Sequence, residues 1–148
     1  MKLLIGGSSS KMFHLKEFAK NLQERNVECK VVLDTSIYSG FPSRKISNWF
    51  ETKKKFNDLI GEFKPDAVFV DRQVNFGLAA AKMNIPLLVH LRGDYWAEQI
   101  MAKKTLYNSP QMRTVLWYKD RIAQKCFNAS TMVLPICKYL EKRVHEYY

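Results

Sequence analysis

The groups best suited to chemistry in this chain gather behind one apolar run. In Pro86-Leu-Leu-Val-His-Leu-Arg-Gly-Asp-Tyr-Trp96, the run Leu87 to Val89 leads straight into His90, Arg92, Gly93, Asp94 and two aromatics. Open α/β sheets bind ligands in the crevice outside the carboxyl ends of their strands, so polar groups placed there are site candidates. The plainer alternative is that Arg92 and Asp94 pair locally while Gly93 turns the chain. Asp71 and Arg72 follow the run Ala67 to Val70 and would face the same crevice, again with a local ion pair as the alternative. Asp34 ends the run Glu28 to Leu33, where a ribose-binding acid sits in dinucleotide folds, but without the glycine fingerprint that role is not expected.

Gly6-Gly7-Ser8-Ser9-Ser10-Lys11 follows the first apolar run. Glycines let a phosphate approach the backbone, and a helix start offers free amides. The chain lacks G-x-x-x-x-G-K-[ST] and G-x-G-x-x-G, so neither a P-loop nor a dinucleotide fingerprint is present. A plain tight turn explains the two glycines equally well. Serine-nucleophile motifs are missing too, and of His14, His90 and His145 only His90 stands at a strand end.

These groups need elements to hold them, and the chain alternates strand-like and helix-like segments. Lys2 to Ile5 reads as a buried strand. His14 to Arg25 sets Leu15, Phe18, Ala19 and Leu22 on one helical face, and Glu28 to Leu33 is a second strand. A loop over Asp34 to Ser47 precedes a helix expected from Asn48 to Phe63, with Trp49, Phe56, Leu59, Ile60 and Phe63 as its buried stripe. Ala67 to Val70 is the third strand, Phe76 to Met83 a short helix, and Leu87 to Val89 the fourth strand. Helix continues from Ala97 to Asn128, broken near Tyr107 and restarted by Ser109-Pro110. Thr131 to Leu134 is a fifth strand, and a last helix begins at Lys138. Strands separated by single helices need crossovers into a parallel sheet. The expected fold is α/β, one Rossmann-like domain over residues 1–148 with helices on both faces of a parallel sheet.

With 148 residues, of which 47% are hydrophobic, the chain can bury a core and is not disordered by composition. Cys29, Cys126 and Cys137 are widely spaced, with no metal-ligand spacing and no metal expected. Cys29 and Cys137 are expected as buried, inert thiols beside strands. The run Leu3-Leu4-Ile5 is too short for a signal-peptide core or a membrane span, which makes the cytoplasm the expected compartment. A formal charge of +10 favours anionic partners, among them nucleotide diphosphates and phospholipid headgroups. The bases are spread and no recognition motif is present, so no specific nucleic acid is expected. Between Ile37 and Phe56, aromatics (Tyr38, Phe41, Trp49, Phe50, Phe56) alternate with Arg44, Lys45 and Lys53 to Lys55. That mixture suits peripheral contact with an anionic membrane at its inner face. The alternative places Trp49 and Phe56 in the core and leaves Phe41 and Phe50 unexplained.

Three segments and a later fourth, in this order and spacing, resemble the N-terminal domain of a GT-B glycosyltransferase of family 4. Lys2-Leu-Leu-Ile-Gly-Gly7 with its following helix looks like the family's first strand, glycine loop and helix. Lys64-Pro-Asp-Ala-Val-Phe-Val-Asp71 is similar to its third strand, and Ile85 to Asp94 to the strand ending in a histidine loop. Thr131 to Leu140 then matches the late strand and helix before the domain linker. The resemblance covers the whole chain and implies an acceptor-side domain whose C-terminal, nucleotide-sugar-binding partner domain with a Glu-x7-Glu motif is not in this sequence.

The resemblance also implies a transferase, retaining, that moves a sugar from a nucleotide-diphosphate sugar to an acceptor, with a lipid-linked or envelope glycan as a suitable acceptor. It implies His90 as the loop histidine at the reacting centre, and the donor diphosphate near Gly6 and Gly7. Asp71, Arg72, Arg92 and Asp94 would stand near acceptor or sugar hydroxyls. After the glycines, Ser8-Ser9-Ser10-Lys11 is more polar than the family pattern. The isolated domain would be inactive. The competing expectation is a non-enzymatic module that binds a small anionic ligand in the same crevice.

Overall fold

The computed structural model describes residues 1–43 and 45–148; Arg44, part of the basic aromatic segment, lies outside the described residues. The short apolar runs form strands β1 (Lys2–Gly7), β2 (Glu28–Leu33), β3 (Ala67–Val70), β4 (Leu87–Leu91) and β5 (Met132–Pro135). They build one parallel sheet in the order β2-β1-β3-β4-β5. Its register aligns Ile5 with Val31 and Phe69, Val70 with Val89, and His90 with Leu134. Between the strands run α1 (Met12–Gln23), a single turn α2 (Asp34–Ile37), α3 (Lys54–Phe63), α4 (Asn75–Ala81), α5 (Tyr95–Thr105), α6 (Pro110–Asn128) and finally α7 (Lys138–Tyr147). The fold is the expected α/β sheet with helices on both faces.

Alternation along the strands divides the core in two. Leu4, Val68, Val70, Leu87 and Val89 point to one face, where α3, α4, α6 and α7 contribute Phe56, Phe76, Phe127 and Leu140. Phe56 and Phe76 are fully buried and meet edge-on at 5.1 Å; burying such a ring contributes about 1.5–3 kcal/mol relative to exposure. Leu3, Ile5 and Phe69 point to the other face, where α1 supplies Leu15 and Ala19. No helix among the described residues is long and apolar enough to cross a membrane.

Several local expectations are corrected. β1 continues through Gly6 and Gly7, and β4 through His90 and Leu91. The helix expected from Asn48 to Phe63 divides into a 3₁₀ turn, Ile46–Phe50, and α3. Glu51 causes the division. Its carboxylate accepts the amides of Ser39 at 2.9 Å and Gly40 at 3.4 Å, which draws the backbone out of helix. Trp49, expected in the buried stripe, is therefore 41% exposed, while Phe56 to Phe63 keep the predicted spacing. Cys137, expected buried, is exposed, and Cys29 is half-buried. The inert thiol is Cys126, which burial pushes up to about 12.

Candidate functional site

The chain crosses from β2, on one side of β1, to β3 on its other side. The carboxyl ends of β1 and β3 therefore flank the point where strand order reverses, the usual seat of a ligand in such sheets. A cleft of about 910 Å³ opens there. Its wall includes Ser8 to Ser10 after β1, Asp34 after β2, Asp71 to Asn75 after β3, and His90 to Gly93 at the end of β4.

Asp71 organises this edge. Its carboxylate is fully buried; the Arg92 guanidinium donates to Oδ2 at 2.6 Å, and His90 Nδ1 lies 3.4 Å from Oδ1. The register explains the convergence: Val70 stands beside Val89, so the next residue of each strand, Asp71 and His90, must also be neighbours. The His90 ring leans on Phe69, with centroids 5.4 Å apart. Engagement of Nδ1 by Asp71 leaves Nε2 to accept from or donate to an occupant, according to the tautomer. A smaller cavity of about 290 Å³, lined by His14, Phe18 and Leu134, touches the other side of the same three residues.

Two local ion pairs offered by the sequence do not form. Arg92 pairs with Asp71, not Asp94, and Asp71 pairs with Arg92 and His90, leaving Arg72 exposed on the cleft wall. Asp94 does not line the cleft. It caps α5 by accepting the Ala97 amide at 3.0 Å, and its other oxygen accepts from Tyr139 at 2.6 Å and Arg143 at 3.1 Å. Burial alone would raise the Asp94 pKa, but the Ala97 amide, the Tyr139 hydroxyl and Arg143 together hold it below the ordinary value. Gly6 and Gly7 lie under side chains. A Cβ at Gly6 would come within 2.5 Å of Phe76 Cε1, and one at Gly7 would run into Leu15. Their lack of side chains lets α4 and α1 close on the sheet, and the serines after them line the cleft.

Asp34 is buried at the edge, accepting the Thr35 amide at 2.6 Å. Loss of solvent raises its pKa against the opposing pull of that amide and of Arg72. Apart from Tyr95, the outer wall carries no signal in the residue pattern. Tyr95, Glu98 and Gln99 from α5 and Lys119 from α6 complete it, because the α5–α6 hairpin folds over the strand ends. Tyr95 donates to Asp120 at 2.9 Å, and burial followed by that bond pushes its phenol well above the usual range. Among the described residues, Arg92 Nε and Gln99 Oε1, both from residues of this wall, are buried atoms with no hydrogen-bond partner. Also among the described residues, no three or more His, Cys, Asp or Glu gather where they could hold a metal.

No protein-family model matches the chain. Over 76 residues, 51% of its length, it is 33% identical to a trigger factor of Rippkaea orientalis (strain PCC 8801 / RF-1). The match spans 14% of that relative's length. It describes a likeness of half the chain and assigns no family.

Proposed function

We propose that this chain is the acceptor-side domain of a GT-B sugar transferase, acting with a nucleotide-sugar-binding domain. One observation carries the reading: a buried aspartate at the switch point seats both an arginine and a histidine on the wall of a cleft of about 910 Å³. In that reading the donor's diphosphate lies beyond Gly6 and Gly7 against Ser8 to Ser10, with Arg72 and Lys119 within the same wall. His90, held by Asp71, positions a hydroxyl of the transferred sugar. The anomeric C–O bond breaks with its electron pair leaving on the diphosphate. The acceptor oxygen bonds to the same carbon, and its proton passes to a diphosphate oxygen. The chain's contribution is fixed positive charge and fixed donors where the leaving group gains charge, which need no reorganisation during reaction.

The test is transfer of labelled sugar from a panel of uridine, guanosine and thymidine diphosphate sugars by the complete gene product. We expect transfer with one donor class, and a His90→Ala variant slower in kcat by ~100-fold or more. Saturable nucleotide binding without transfer across the panel would replace this reading with that of a binding module for a small anionic ligand.

A further inference from the structure

A second constellation adjoins the cleft mouth and is not used by the proposed transfer. The 3₁₀ turn presents Ile46 at 67% exposure and Phe50 at 83%, with Trp49 half-exposed beside them. From α6, Trp117 and Tyr118 are also exposed. The two groups are joined through Phe41, whose ring meets Trp49 and Tyr118 edge-on at 4.9 Å each. Single exposed apolar residues need no explanation, but a joined group of this kind marks an interaction surface.

The turn is held in place. Trp49 Nε1 donates to the Ser43 carbonyl at 2.8 Å, Asn48 donates to Ser43 Oγ at 3.3 Å, and Glu51 anchors the far end on the Ser39 and Gly40 amides. Ile46 and Phe50 are thus presented by a built turn. The surrounding charge is basic. Lys45 and Lys53 to Lys55 flank the turn in sequence, and Arg121 lies over the Trp117 ring at 4.8 Å. The nearby acids are engaged: Glu51 by backbone amides, and Asp58 by Lys54 at 3.3 Å.

We propose that this surface docks on an anionic lipid bilayer. Ile46 and Phe50 have no polar atom with which to read a base edge or a peptide group, and their match is hydrocarbon. Trp and Tyr side chains, apolar with one polar end, suit the interface between hydrocarbon and headgroups, and lysines at the rim match acidic headgroups. Ser43, Lys45 and Asn48 of the same segment line the cleft, so docking sets the cleft mouth against the headgroup layer, within reach of a membrane-borne substrate. The proposal stands whether or not the cleft supports sugar transfer.

The test is co-sedimentation of the chain with vesicles of phosphatidylcholine alone or mixed with phosphatidylglycerol. We expect binding to the mixed vesicles at least ~10-fold tighter than to neutral ones, weakening as salt is added. An Ile46→Ser, Phe50→Ser double variant should bind the mixed vesicles ~10-fold or more weakly. Both positions face solvent, so its thermal melt should match the parent's. Equal binding to neutral vesicles, no binding to either, or an unchanged double variant would overturn the proposal. So would Phe50-dependent binding of a single-stranded oligonucleotide with vesicles ignored, which would assign the surface to nucleic acid.

Discussion

Asp71 and Asp94 stand on either side of one strand end, each holding an arginine and one further polar group, yet they do different work. Asp71 is fully buried and holds Arg92 and His90 on the cleft wall. Asp94 keeps access to solvent and fastens α7 to the start of α5, where Arg143 also lies over the Trp96 and Tyr147 rings. The chemistry of the two knots is nearly the same. Burial sets them apart: a buried charge stripped of its partner cannot be rescued by water, whereas a partly exposed one can.

The largest expected effect follows from that difference. Arg92→Ala removes the 2.6 Å partner of a carboxylate with no exposed surface, and should lower stability by about 3–5 kcal/mol, the cost typical of breaking a buried pair. Adding Asp71→Asn should recover a large part, because a neutral amide needs no counter-charge. Urea unfolding of the single and double variants provides the measurement. If Arg92→Ala falls within ~1 kcal/mol of the parent, a range proper to surface pairs, the two knots are energetically alike and the comparison collapses.

Asp94→Ala should cost less, about 1 kcal/mol, the usual loss for a helix N-cap. Its pH dependence identifies the source. Because the folded pKa of Asp94 lies below its unfolded value, its contribution is present above the unfolded pKa and is lost as pH falls through the folded one. The parent's advantage over Asp94→Ala should therefore hold at neutral pH and shrink on acidification below about pH 4. An advantage independent of pH would mean that the carboxylate's charge plays no part in holding α7.

The two knots also differ in how far the residues announced them. The strands were legible because short apolar runs bounded by Gly, Pro and Asp have few other uses, and the Ser109-Pro110 restart follows from capping alone. Asp71 and His90 were legible as strand-end residues. Their pairing was not, since it depends on β3 lying beside β4 in one register, a fact of the assembled sheet. The Asp94–Tyr139–Arg143 pin joins a strand end to a helix more than forty residues onward, and no local pattern encodes it. Trp49 misled for a physical reason: its helical spacing from Phe56 was real, but Glu51 prefers the Ser39 and Gly40 amides to a helical backbone. Cys137 misled because β5 stops at Pro135 and leaves the thiol in the exposed junction before α7.

The smallest expected effect has the opposite sign. Asp34 is as buried as Asp71 but, among the described residues, has no arginine within ion-pair distance; the Thr35 amide and the more distant field of Arg72 oppose the effect of its burial, and Asp71 adds to it. Loss of solvent therefore prevails and its folded pKa is raised. A raised carboxylate favours the folded state below its unfolded pKa, and that advantage is lost as pH rises through the folded pKa. At neutral pH its ionised form is a strain on the fold. Asp34→Asn keeps an oxygen to accept the Thr35 amide and removes the charge, so the variant should be more stable than the parent at neutral pH. The gain should disappear as pH is lowered past the unfolded-state value, where Asp34 is protonated in both states. Thermal melts of the two proteins between pH 3 and 8, a window chosen to span the carboxylate range, measure the crossover. A variant less stable than the parent at neutral pH would mean that the Asp34 charge is balanced in the cleft by groups beyond Thr35 and Arg72. Burial alone would then not separate a carboxylate that steadies this edge from one that strains it.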